Sequence, residues 1–379
     1  MTGREKIEAA FSEGGTREIP AVICYEGIYY RDRWEEVTSC PWWYAHTCDL
    51  EKQIEWRTNA IERIGQDWVV LAMCASREDR ASITVEERAG GVYEVDRRTG
   101  KRERIERPPV GGWSLASRMA SVHPEKLAQT PKEIDTLLAV PEGVDAEDVS
   151  RQGRDDLARM VMAGPGRDLY PVYYIASPFW ALYSLWGFEG MMLMIASRKD
   201  MVKYACGRAL ARAIQSVREA AVLGARGIWI EECLTDMISP ADFGMLNVPP
   251  LRGMVDAIHA ADMKAIYYYC GSPDGKWDEI LSVGADAVSF EESKKGFTID
   301  IDDVVRRVDG RAVVLGNLDA IGLLPNGTDA ELAAEISRQI VAGRRNSGRF
   351  IMSIGSPVTP GTPMARVRLY TDLVREVGS

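Results

Sequence analysis

Carboxylates and thiols recur in this chain at the ends of apolar runs. Glu231, Glu232 and Cys233 close Gly227-Ile-Trp-Ile-Glu-Glu-Cys233, Cys270 closes Lys264-Ala-Ile-Tyr-Tyr-Tyr-Cys270, and Glu291 with Glu292 closes Ala287-Val-Ser-Phe-Glu-Glu292. Asn317 and Asp319 end Ala312-Val-Val-Leu-Gly-Asn-Leu-Asp319, and Ser356 ends Arg349-Phe-Ile-Met-Ser-Ile-Gly-Ser356. A carboxylate at such an end can ligate a metal, move a proton or bind a cationic group, and a thiol can ligate a soft metal. Burying a carboxylate without a partner is costly, so its repetition on separate runs points to function rather than packing. Consecutive strand residues point to opposite faces, so only one of Glu231 and Glu232 serves a shared site directly, and spacing leaves open which. A cysteine in the same place also reads as a small buried hydrophobe, and Cys74 and Cys233 share that ambiguity with Cys270.

The elements that must position these groups follow from the rhythm of the chain. The five runs are rich in β-forming residues and separated by helix-like stretches, as buried parallel strands are. Pro20-Ala-Val-Ile-Cys24, Asp67-Trp-Val-Val-Leu-Ala-Met-Cys74 and Pro171-Val-Tyr-Tyr-Ile-Ala-Ser177 supply three more, giving the eight strands of a (β/α)8 TIM-type barrel. In that architecture the strand C-termini share one mouth, where the chemistry sits. Thr2-Gly-Arg-Glu5 has the pattern of a capping box and opens a short helical lead-in ending near Gly14-Gly15, expected to lie under the barrel. Residues 81–107 alternate polar and apolar side chains around Gly90-Gly91 and Thr99-Gly100 and read as inserted β-hairpins: a solvated flap, a partner-docking surface or a cap over the mouth. Pro124 to Ser150 reads as helical connectors. The whole chain, 1–379, is expected to form one barrel domain carrying that insertion.

Composition narrows the function classes. With 379 residues, 46% hydrophobic and 27% charged, the chain can bury a full core, and a formal charge of −10 argues against a phosphate-tracking nucleic-acid binder. No apolar run reaches the roughly 20 residues that span a bilayer, and no signal-peptide core is present, so a cytoplasmic location is expected. Seven scattered cysteines read as reduced thiols. Of three histidines, His259 lies in a helical pattern and reads as structural, while His46 follows Pro41-Trp-Trp-Tyr44 near the exit of the first strand. Aromatic side chains gather in the loops after the first strand (Tyr25, Tyr29, Trp42) and after Pro171–Ser177 (Trp180, Tyr183), which favours a flat apolar or aromatic ligand or ordinary packing beneath long loops. No zinc-finger spacing, Gly-x-Gly-x-x-Gly or phosphate loop stands in a suitable context.

Several segments together are similar to a known family: Gly3-Arg-Glu-Lys-Ile-Glu-Ala-Ala-Phe11 with Ile19-Pro20, Gly224-Ala-Arg-Gly227, Ser239-Pro240-Ala-Asp-Phe243, Tyr269-Cys270-Gly271, Gly284-Ala-Asp-Ala287, Gly316-Asn-Leu-Asp319 and Gly355-Ser-Pro-Val-Thr-Pro-Gly-Thr-Pro363. They resemble the uroporphyrinogen decarboxylase superfamily, β/α barrels that include decarboxylases and cobamide-dependent methyltransferases. The decarboxylases carry Arg-Gln-Ala-Gly-Arg-Tyr after the first strand, whose arginines suit many carboxylates. Cys24-Tyr-Glu-Gly-Ile-Tyr29 stands there instead, and the decarboxylase aspartate and late histidine fall at Cys74 and Ser356. The methyltransferase branch holds zinc with His-x-Cys and a later Cys, and the matching positions are Tyr268, Cys270 and Ser356.

The resemblance therefore implies a corrinoid-dependent methyltransferase of the O-demethylase kind, moving a methyl group from a small methoxylated, aromatic substrate to a corrinoid on a separate protein docked at the barrel mouth. Zinc would be held by Cys270 with Glu231 or Glu232; without metal, Tyr268 would act as general acid. Tyr25, Tyr29, His46, Trp180, Glu291, Asn317 and Ser356 are the expected substrate contacts. A metal-independent decarboxylase or lyase on a small acid, and a non-catalytic barrel binding a tetrapyrrole or other small ligand, are the competing readings. A homodimer is among the assembly states left open.

Overall fold

The computed structural model describes residues 1–111, 122–140, 145–293 and 296–379. Seven strands form one parallel sheet: β1 (Trp68–Val70), β5 (Tyr170–Ala176), β6 (Gly227–Glu231), β7 (Lys264–Tyr269), β8 (Ala287–Phe290), β9 (Val313–Leu315) and β10 (Phe350–Ile351), hydrogen-bonded in that order. The segment after Ile19 closes the circle. Val22 N donates to Met352 O and Met352 N to Pro20 O on one side, and Asp67 N donates to Ala21 O on the other. It does not form the full strand expected over 20–24, because the Asp67 and Gln66 side chains, rather than a neighbouring backbone, accept from the Ala21 and Ile23 amides. The result is the expected β/α barrel, with strands shorter than the apolar runs that encode them.

The lead-in helix Gly3–Phe11 starts at the Thr2 capping box, both halves of which form. Arg4 N donates to Asp168 O, and Lys6 pairs with Asp67 at 3.5 Å, so the helix seals the barrel at the N-terminal ends of β1 and β5, as expected. Residues 81–107 contain the expected antiparallel insertion, β2 (Ile83–Arg88), β3 (Gly91–Asp96) and β4 (Lys101–Ile105), turning at Gly90-Gly91 and Gly100, where φ is positive. Val85 and Val92 from this sheet pack on Trp43 in a small separate core, which fastens the insertion to the loop beside the mouth. Helices Pro131–Leu137 and Ala146–Arg151 occupy the expected connector region, of which 141–144 lie outside the described residues. No described helix is long and apolar enough to cross a membrane.

Inside the barrel, alternation decides what the mouth receives. Trp229 and Glu231 share one parity on β6, and Ile228, Ile230 and Glu232 the other. Trp229 is fully buried, its ring 5.3 Å from Tyr268 and 5.8 Å from Tyr174, both nearly parallel, with Trp68 at 5.6 Å edge-on. This aromatic layer fills the lumen as barrel interiors require. Whatever stands one step beyond it faces an open cavity.

Candidate active site

That cavity has a volume of about 970 Å³ and is lined by the ends of β6, β7 and β8 and by the segments that follow the first extended segment. Register explains the cluster at its base. Glu231 pairs with Tyr268 across β6 and β7, and Tyr268 with Ser289 across β7 and β8. Two residues further along the same parity stand Cys233, Cys270 and Glu291. Cys233 Sγ lies 3.5 Å from Cys270 Sγ, and Gly271 N donates to Glu291 Oε2 at 2.9 Å. Gly271, at φ +97°, makes the turn that aims its amide there.

The adjacent glutamates are now distinguished. Glu232, of the opposite parity, borders the cavity but is held in a hydrogen-bond network: Ser177 Oγ donates at 2.8 Å, Asn247 Nδ2 at 2.7 Å, Cys233 N at 3.2 Å and Tyr267 Oη at 3.4 Å. Glu231 lines the cavity, and its carboxylate accepts no hydrogen bond among the described residues. Burial raises the pKa of both to about 7. For Glu232 four donors oppose that rise, whereas for Glu231 desolvation acts alone. Glu26 also lines the cavity; burial lifts it to about 7 against hydrogen bonds led by its own backbone and then Tyr174, whose hydroxyl donates to it at 3.0 Å.

Of the residues expected from sequence, Tyr25, His46, Trp180, Glu231, Glu232, Tyr268, Cys270 and Glu291 line this cavity. Tyr25 adopts φ +56° with its amide bonded to Tyr174 Oη, a strained backbone held beside the site. His46 is exposed at the rim, its ring edge-on to Trp42. Three expected contacts lie elsewhere. Tyr29 is buried with its hydroxyl on Thr362 O, Asn317 spends its side-chain amide on the Glu291 and Ile299 carbonyls, and Ser356 is buried outside the lining. In each case the residue stands near the mouth along the chain but its side chain is buried against protein. His259, read as structural, pairs with Asp286 on the surface. Sequence reasoning missed Glu26, Tyr174 and Arg57; the last had a signal, a cation beside Trp56 and Ala60 on the buried face of helix Leu50–Ile64.

Zinc needs three or four donors at about 2.0–2.3 Å. Cys233 and Cys270 offer two thiols, but among the described residues no group of three His, Cys, Asp or Glu stands close enough to hold one metal ion. The two other positions matched to the methyltransferase ligand set are spent on each other's surroundings: Tyr268 stacks on Trp229 and its hydroxyl donates to Gly355 O at 3.1 Å, next to Ser356. Gly355 itself packs so closely that a Cβ there would meet Glu292 N at 2.3 Å. The donor set as arranged does not fit zinc.

A closed parallel barrel with carboxylates, thiols and aromatic rings converging at the C-terminal ends of its strands defines a barrel enzyme type of site. The chain belongs to the uroporphyrinogen decarboxylase (URO-D) family, whose description matches residues 172–377, more than half of its length. It is 29% identical over 160 residues to the uroporphyrinogen decarboxylase of Picosynechococcus sp., covering 41% of this chain and 42% of that protein. It is 25% identical over 128 residues to the methylcobamide:CoM methyltransferase MtbA of Methanosarcina mazei, 34% of each chain. These matches span about two fifths or less of the curated relatives' length. Among solved structures, a methyltransferase from Methanosarcina mazei superposes over 100% of both chains with a TM-score of 0.68 at 18% identity, which establishes the shared fold.

Proposed function

We propose that the protein transfers a methyl group from a small methoxylated aromatic substrate to a corrinoid carried by a separate protein that docks over the barrel mouth. Similarity to the methylcobamide:CoM methyltransferase and the loss of the decarboxylase arginine motif support this branch of the family. The observation that carries the chemistry is Glu231: inward-facing, without a hydrogen-bond partner among the described residues, and with a pKa raised to about 7. Breaking a methyl ether leaves negative charge on oxygen, and a carboxylic acid that is protonated near neutrality can neutralise it.

A reduced corrinoid, when its carrier is docked, would supply the nucleophile that accepts the methyl group. The chain's own residues do the rest. Tyr25 and Trp180 hold the flat ring, and the surrounding rings exclude water. As the carbon–oxygen bond breaks, Glu231 gives its proton to the departing oxygen and is left as a carboxylate. Tyr268, committed to the Gly355 carbonyl and with its pKa raised by burial, orients the floor rather than donating.

The test is a methyl-transfer assay with the reduced corrinoid protein as acceptor and a panel of methoxy, methylamine and methylthiol compounds. Transfer from methoxylated aromatics supports the reading, and transfer from none of the panel contradicts it. Decarboxylation of a small acid is the second reading, favoured by the decarboxylase relatives themselves, and carbon dioxide release without any corrinoid would identify it.

A further inference from the structure

One wall of the cavity is built outside the barrel, where helix Leu50–Ile64 packs against the helical segment after Tyr25. Among the described residues three arginines line the cavity: Arg31, Arg57 and Arg107. Arg31 pairs with Asp32 at 2.7 Å and Arg107 pairs with Glu35 at 2.6 Å. Arg57 has no acidic partner among the described residues. Its guanidinium lies 4.2 Å from the centre of the Trp56 ring, and Nη1 donates to Gln53 O at 3.1 Å and to Gln53 Oε1. A guanidinium has five N–H donors, and no protein acceptor among the described residues meets those on Nε and Nη2. The Trp56 ring and the two bonds to Gln53 restrain the fork, the kind of preorganisation that carboxylate recognition uses.

We propose that Arg57 is a carboxylate-binding subsite, so that the substrate is an aromatic acid whose carboxylate pairs with Arg57. Burial holds the Arg57 pKa down at about 10, against smaller opposing effects of Tyr30 and Cys74. The inference rests on this cavity being the substrate site, as in the proposed function, but it does not depend on methyl transfer.

The experiment is calorimetric titration of the full chain, without corrinoid, using 3- and 4-methoxybenzoate and the corresponding neutral methoxybenzyl alcohols. The expected result is at least about tenfold tighter binding of an acid than of its alcohol, since charge-assisted pairs are the stronger ones. That preference should vanish in Arg57→Met, with alcohol binding changed less than about twofold, and return in part in Arg57→Lys. Equal affinity of acids and alcohols for the wild type overturns the proposal without any variant. A wild-type preference kept by Arg57→Met overturns it as well. Because the readout is binding, selective acid binding with no methyl transfer would contradict the proposed function and leave this subsite standing.

Discussion

The bottom of the barrel and its mouth are built from the same residue types and treat them oppositely. At the bottom, Asp67 is paired with Lys6 and accepts from the Ala21 amide, so its charge is spent on closing the barrel. At the mouth, Glu231 has no such partner among the described residues and keeps its carboxylate toward a cavity. The contrast repeats one residue on, where Glu232 is buried but met by four donors. Burial alone therefore does not mark a functional carboxylate.

The sharpest way to break this comparison is to exchange the roles. Glu231→Gln keeps shape and removes the transferable proton, and methyl transfer should fall by about 10²–10⁴-fold, the range of general acid catalysis, with the thermal midpoint little changed. Glu232→Ala should do the reverse, costing about 1–3 kcal/mol because it orphans buried donors, measured by denaturant unfolding. Asp67→Ala belongs with Glu232: a similar loss of stability is expected, and an unchanged substrate KM.

Acidity sharpens the same point. Glu231 and Glu232 have folded pKa values near 7, above 4.5, so the folded state holds their protons more tightly than the unfolded chain. Their contribution to stability is full below about pH 4.5 and is lost as pH rises through about 7. Unfolding midpoints measured across that window should fall, and less steeply in Glu232→Gln. Activity should decline over the upper part of the same window as Glu231 loses its proton.

Smaller effects are expected at the floor. Tyr268→Phe removes one neutral hydrogen bond to Gly355 O and should cost about 0.5–1.5 kcal/mol, with methyl transfer reduced less than about tenfold. A loss as large as that of Glu231→Gln would return the proton-donor role to Tyr268. The contact between Cys233 and Cys270 lowers the Cys233 pKa, whereas burial raises that of Cys206, so iodoacetamide should label Cys233 well before Cys206.

Much of this was legible in the sequence because period-2 alternation and abrupt strand ends are local signals. The barrel, the lead-in capping box and the 81–107 hairpins were written that way, and so was the convergence of Glu231, Cys270 and Glu291. What was not legible depended on partners distant in the chain. Nothing near Asn317 reveals that its amide will serve the Glu291 and Ile299 carbonyls, nor does the sequence around Tyr29 reveal Thr362. The facing of Glu231 and Glu232 needed the strand register, and the unmatched charge of Arg57 needed the ion pairs of Arg31 and Arg107.

The most direct test of the central claim is the pH–rate profile of methyl transfer from methoxylated aromatic acids to the reduced corrinoid protein, in wild type and in Glu231→Gln. The wild-type rate should fall as pH rises through about 7, and the variant should be folded, bind substrate and have lost both the rate and that limb. A Glu231→Gln variant with the wild-type rate and profile would contradict it.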